Sequence, residues 1–139
     1  MTPSILAPVM ALVLWSMVMW LWLYATRLPA MARARVRLDP TLPRDQLLAP
    51  LPPQVRWKAD NYNHLMEQPT IFYATALSAA VAGVADPAAV WLAWAYVALR
   101  VVHSLVQATV NVIRLRFLVF SAASLVLLVL AVRTALAVF

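Results

Sequence analysis

Long stretches of this chain carry almost no charge, and that limits its fold more than any motif. From Ser4 to Thr26 no Asp, Glu, Lys or Arg occurs; Pro69 to Ala85 and Pro87 to Leu99 are equally bare, and Phe117 to Phe139 has only Arg133. With their flanks, these stretches reach the roughly 20 residues that cross a hydrocarbon core. Lipid offers the backbone no hydrogen-bond partner, so only helices or closed barrels span it. Barrel strands need period-two alternation, which is absent here. The chain is 65% hydrophobic and 12% charged, against about 45–50% and 25% in soluble domains. The sequence therefore reads as all-α, an integral membrane four-helix bundle. A single domain is expected over residues 1–139, with spans at about 4–26, 61–84, 87–113 and 117–139.

The connections set the orientation. The first is long and basic, with Arg27, Arg33, Arg35, Arg37, Arg44, Arg56 and Lys58, and six prolines make most of it irregular. After Pro53, "QVRWKAD" reads as a helical extension of the second span. The second connection carries only Asp86; the third is short and carries Arg114 and Arg116. Basic connections stay cytoplasmic, so the first and third face the cytoplasm and both termini face the other side. Arg133 dissents and is expected to snorkel. The +6 net charge is read as topology and contact with anionic lipid, not as a nucleic-acid surface. The N-terminal stretch lacks a basic leader and is too long for a cleaved h-region, so it is read as a retained signal anchor. With no cysteine, disulfides, thiolate metal sites and cysteine nucleophiles are excluded.

Within the third span, Arg100, His103, Gln107, Asn111 and Arg114 recur at intervals of three and four. Such spacing places them on one helix face. Thr109 lies opposite and is expected to bond its own helix. The second span begins "NYNHLMEQP", where Asn63, His64 and Glu67 share a side. Antiparallel packing is expected to bring Glu67 and Gln107 to similar depth, with Glu67 pairing with Arg100 or His103 or facing a water-filled cavity. Pro69 should free the Leu65 carbonyl one turn from Glu67. Charged side chains at depth are expensive and mark function by default. Asn63, Ser78, Ser104 and Asn111 can equally serve as interhelical hydrogen-bond glue. One His per helix and one Glu make a weak ligand set, so no metal is assigned. With one glycine, Gly83, close helix approach is expected at Ala74, Ser78 and Ala82.

"NYNHLMEQPTIFYA" and "LRVVHSLVQATVNVIRLRFLVF" together resemble the MAPEG family, the membrane-associated proteins in eicosanoid and glutathione metabolism. The resemblance covers all four spans and is closest to a bacterial branch, which implies a bacterial inner membrane. It further implies a homotrimer of four-helix protomers, with glutathione in clefts between subunits near the cytoplasmic side. His64 and Glu67 fall on the family's Asn-x-x-Glu, His standing for Asn. Arg100 and His103 fall on an Arg-x-x-His pair of the prostaglandin E synthase branch. Arg116 falls where an Arg activates the glutathione thiol. Two departures stand out: Gln107 replaces a Tyr common in the enzymes, and Pro69 follows Glu67 more closely than usual.

The expected function is binding of glutathione, or a related thiol, and conjugation or reduction of lipophilic electrophiles. Arg116 is the expected catalytic residue. Asn63, His64, Glu67, Arg100, His103, Gln107, Asn111 and Arg114 are the expected cosubstrate-binding set. The family also includes a non-catalytic lipid-binding member, so the alternative is a membrane protein that holds a lipophilic ligand without chemistry. A transporter using the polar stripe as a path is a third reading, weakened by the absence of inverted repeats.

Overall fold

The computed structural model describes residues 4–139, so the first three residues of the expected domain lie outside the described part. Six helices follow in order: α1 (Leu6–Arg33), α2 (Arg44–Leu48), α3 (Pro53–Leu65), α4 (Pro69–Val81), α5 (Pro87–Thr109) and α6 (Ile113–Val138). No strand occurs among the described residues. Three helices, α1, α5 and α6, are long and apolar enough to cross a membrane.

Proline and left-handed residues set the boundaries. Pro53, Pro69 and Pro87 each open a helix, where a missing N–H costs nothing. The helical reading of the segment after Pro53 therefore holds. The second span, expected as one helix over 61–84, is instead α3 and α4, broken at Met66–Gln68. Pro69 does not bend one helix; it starts a new one. The first span continues past Thr26 to Arg33, with Pro29 inside it. At its end Arg35 takes φ 50°, and Val36 N–H bonds the Met31 carbonyl at 3.1 Å. Gly83 (φ 71°) ends α4 in the same way, with Val84 N–H on the Ala79 carbonyl at 3.0 Å. Both are Schellman closures, which satisfy otherwise orphaned carbonyls. The third span, expected to reach 113, stops at Thr109. Asn111 is left-handed (φ 51°), and its N–H returns to the Val106 carbonyl at 2.7 Å. Asn111 and Arg114 thus lie outside α5, and the helical stripe ends with Gln107.

Packing brings α5 against α6, α3 and α1, while α4 packs on α6 and α1. The tightest approaches use alanine: Ala76 and Ala79 of α4, Ala93 of α5 and Ala123 of α6 are completely buried. Ala74, Ser78 and Ala82, expected at the contact, are exposed instead. The buried stripe of α4 is Phe72, Ala76 and Ala79, and Phe72 stacks on Tyr96 with centroids 4.6 Å apart. Thr109 bonds the Leu105 carbonyl at 2.6 Å, as its position opposite the stripe implied.

The charges segregate. Lys58 sits 5.0 Å from the Trp22 ring and 3.4 Å from the Ala108 carbonyl, which puts the later half of α1 and the C-terminal end of α5 against the middle of α3. Of the eleven Lys and Arg residues, all but Arg100 and Arg133 belong to this end or its connections. Arg133 does not snorkel alone: it donates to Asp86 at 2.7 Å at the opposite end. Asp86 also caps α5 by accepting from Ala89 N–H at 2.7 Å. Asp86→Ala removes both contacts and is expected to cost about 1–2 kcal/mol. Asp86→Asn retains the cap and should lose under about 1 kcal/mol. Reversible unfolding in mild detergent measures both.

Candidate functional site

Polar rungs lock α3 and the break that follows it against α5. Lys58 reaches the Ala108 carbonyl; Asn61 Nδ2 donates to Ser104 Oγ at 2.6 Å; Arg100 Nη2 donates to the His64 carbonyl at 3.0 Å; Tyr96 Oη donates to Gln68 Oε1 at 3.3 Å. Each advance of three or four residues on one side is matched by a retreat of three or four on the other, as antiparallel helices require. Gln68 also donates through Nε2 to Ser124 Oγ at 2.7 Å, tying the break to α6. Glu67 and Gln107 were expected at one depth. The rungs separate them: Gln107 lies beside the Lys58 rung and Glu67 beside the Tyr96 rung.

The break releases a backbone acceptor. In an unbroken helix the Gln68 N–H would bond the His64 carbonyl. Here that carbonyl accepts from Arg100 Nη2 at 3.0 Å and, at a longer 3.4 Å, from the Glu67 N–H, so the acceptor Arg100 uses is that of His64, not Leu65. Arg100 is completely buried. Its Nη2 is also 3.4 Å from His64 Nδ1, and its Cζ is 5.9 Å from the Phe120 ring centroid. Its Nε and Nη1 have no protein partner. A buried guanidinium needs acceptors and soft neighbours, and a carbonyl with an aromatic face supplies some of both.

Outside Arg100 the imidazoles of His64 and His103 stack, centroids 5.0 Å apart and planes 24° apart. Phe120 flanks them at 5.3 and 6.0 Å. Glu67 meets His64, with Oε2 3.7 Å from Nε2, and not Arg100. Its carboxylate is 66% exposed, on the rim rather than in the interior. Arg116, one turn into α6, is held by Asn111: Nη1 donates to Oδ1 at 2.6 Å. Its Nε is buried without a protein partner. These groups converge on an open recess of about 360 Å³ lined by His64, His103, Ile113, Arg116, Phe117 and Phe120.

The expected residues therefore divide. His64, His103 and Arg116 line the recess, Glu67 contacts its wall, and Arg100 lies behind it. Asn111 is the tether of Arg116. Gln107 is buried on the same face of α5 with Oε1 unpartnered, but does not line the recess. Arg114 is exposed and also outside it. Asn63 points elsewhere, into a separate cavity with Arg27 and Asp60. Sequence reading missed Asn61, Gln68, Tyr96, Phe120 and Ser124. Asn61, His64 and Gln68 do follow a three-then-four spacing, and Phe120 follows Arg116 by four, so a helical-face signal was present for these.

The recess pairs one cation and two imidazoles with an aromatic and aliphatic wall. Such a surface suits a molecule with an anionic part and an apolar part. A family model described as the MAPEG family matches residues 5–136. The chain belongs to the MAPEG family. No curated protein and no solved structure matches it significantly. The MAPEG match spans every element of the recess and makes this an integral membrane protein of that family.

Arg100 gives the sharpest structural test. Arg100→Ala opens a central cavity and strips the His64 carbonyl of its side-chain donor, at an expected cost of about 3–5 kcal/mol. Arg100→Met restores volume but not the hydrogen bond, and should cost only about 1–3 kcal/mol. Unfolding midpoints of the two variants in one detergent check the order.

Proposed function

We propose that this MAPEG protein binds glutathione, or a related thiol, in the His64–His103–Arg116 recess and transfers it to, or uses it to reduce, lipophilic electrophiles. The observation that carries this reading is Arg116: a half-buried guanidinium, fixed by Asn111, beside two imidazoles and an aromatic wall. Glutathione supplies a thiol nucleophile. A cation near a thiol favours its thiolate, whose unperturbed pKa is about 8.5, and Arg116 is the recess cation. Glu67 at the rim is an acceptor for an ammonium group. Arg100 acts indirectly, by setting the position of His64. Ile113, Phe117 and Phe120 offer the apolar wall along which an electrophile enters from lipid.

In this reading α3 and α4 jointly form the second crossing of one four-span domain, beside α1, α5 and α6. Three protomers assemble around a common axis, so that a neighbouring subunit closes the open side of each recess. The open side of the recess and the apolar faces of α1 and α6, where only 33% and 17% of the residues in the most apolar stretch are buried within one chain, leave area for such contacts beside lipid. The basic end faces the cytoplasm of a bacterial inner membrane, following the charge asymmetry.

One observation favours a second reading. The recess wall is largely aromatic and aliphatic, and Gln107 neither reaches it nor offers a phenol, as expected of a protein that retains a lipophilic ligand without chemistry. Arg116→Ala separates the two. An enzyme loses about 10²-fold in kcat, the usual effect of removing one charge-stabilising donor, while glutathione binding by calorimetry changes less. A passive binder keeps its lipophilic ligand unchanged in Arg116→Ala. Wild-type protein without glutathione binding and without glutathione-dependent turnover of a reactive aryl halide would falsify the enzymatic reading.

A further inference from the structure

A separate cavity of about 380 Å³ lies at the basic end and shares no residue with the recess. Arg27 of α1, Arg44 of α2 and Arg56 of α3 all line it. Asp45 and Asp60 line it as well. Among the described residues the only ion pairs are His64–Glu67 and Asp86–Arg133. The cavity therefore presents charges of both signs side by side, with no direct ion pair between them. Its floor is apolar, with Leu51 buried and Leu48 and Val55 half-buried, and the half-buried Trp57 forms part of the wall.

Position narrows the ligand. The cavity sits where α1 leaves its apolar stretch, and tryptophan rings favour headgroup depth. Trp20 and Tyr24, seven and three residues before Arg27 and on its side of α1, are exposed and continue an apolar track from the cavity toward the membrane-spanning stretch. Guanidinium forks bind phosphate oxygens in pairs. The two carboxylates disfavour a ligand that is only anionic and suit one that also bears an ammonium group. We propose that this cavity holds the headgroup of an ethanolamine-type phospholipid. Arg27, Arg44 and Arg56 take the phosphodiester, Asp45 and Asp60 take the primary ammonium, and the acyl chains follow the Trp20–Tyr24 surface. Nothing in this assignment depends on thiol chemistry in the recess.

The test uses the full chain in detergent micelles. It is titrated by calorimetry with short-chain phosphatidylethanolamine, phosphatidylcholine and phosphatidylglycerol, and with glycerophosphoethanolamine and inorganic phosphate. The ethanolamine lipid should bind most tightly. Arg44→Gln with Arg56→Gln should weaken every phospholipid by about tenfold or more, as lost charge-assisted contacts do. Asp45→Asn with Asp60→Asn should erase the preference for ethanolamine over choline and leave the phosphate-dependent part. All four side chains are exposed, so these variants are expected to fold. Equal affinity for all headgroups, or unchanged affinity in the variants, overturns the assignment. Soluble glycerophosphoethanolamine or phosphate binding as tightly as lipid overturns the lipid source. Displacement of the lipid by glutathione makes this a cosubstrate site instead. None of these outcomes alters the Arg116→Ala result, so the two readings fail separately.

Discussion

The hydrogen bond from Arg100 to the His64 carbonyl organises the middle of this protein. A fully enclosed guanidinium needs an acceptor, and the carbonyls of an unbroken α-helix already accept one backbone bond each and are screened by their own turn. The interruption at Met66–Gln68 supplies one. Pro69 forces the interruption, Gln68 pins it to α5 and α6, and Arg100 occupies the acceptor it frees. Charge burial and helix breaking each carry a cost in a membrane protein, and here each reduces the cost of the other. His64 inherits its place against His103 from that arrangement, and so does the wall of the recess.

Much of this was legible in the sequence. Charge-free runs gave the apolar helices, and periodicity correctly placed Arg100, His103 and Gln107 on the buried face of α5. Pro53 marked where α3 begins, whereas Pro69, read as lying inside one span over 61–84, opens a helix of its own. What periodicity does not carry is phase and register. Asn61 and Asn63 lie two residues apart, so on a helix they point to nearly opposite sides; only the packing of α3 on α5 decides which is buried. Asn61 is, and Asn63 is not. Register had the same weakness. Placing Glu67 level with Gln107 assumed that spans start at equal depth, whereas α3 begins well before its apolar portion. The numerical stripe also ran on through Asn111 and Arg114, because spacing alone cannot reveal a residue that turns left-handed.

Distribution of charge matters as much as its pairing. One end gathers nearly all the cations, the other holds a single Asp86–Arg133 pair, and the interior keeps one guanidinium. Basic side chains near lipid phosphates gain about 1 kcal/mol each, so this polarity fixes the molecule in its bilayer. It also surrounds both cavities at that end with positive potential, which favours anionic molecules arriving from the aqueous side.

Asn111 shows how much depends on one corner. Its backbone makes the left-handed corner between α5 and α6, and its side chain tethers Arg116. Glycine would make the same corner more easily and would release the arginine. Architecture and the placement of the recess cation are thus separable at a single codon: a chain with glycine there would keep the same silhouette while Arg116 wandered, and shape alone would not reveal which copy holds its guanidinium in place.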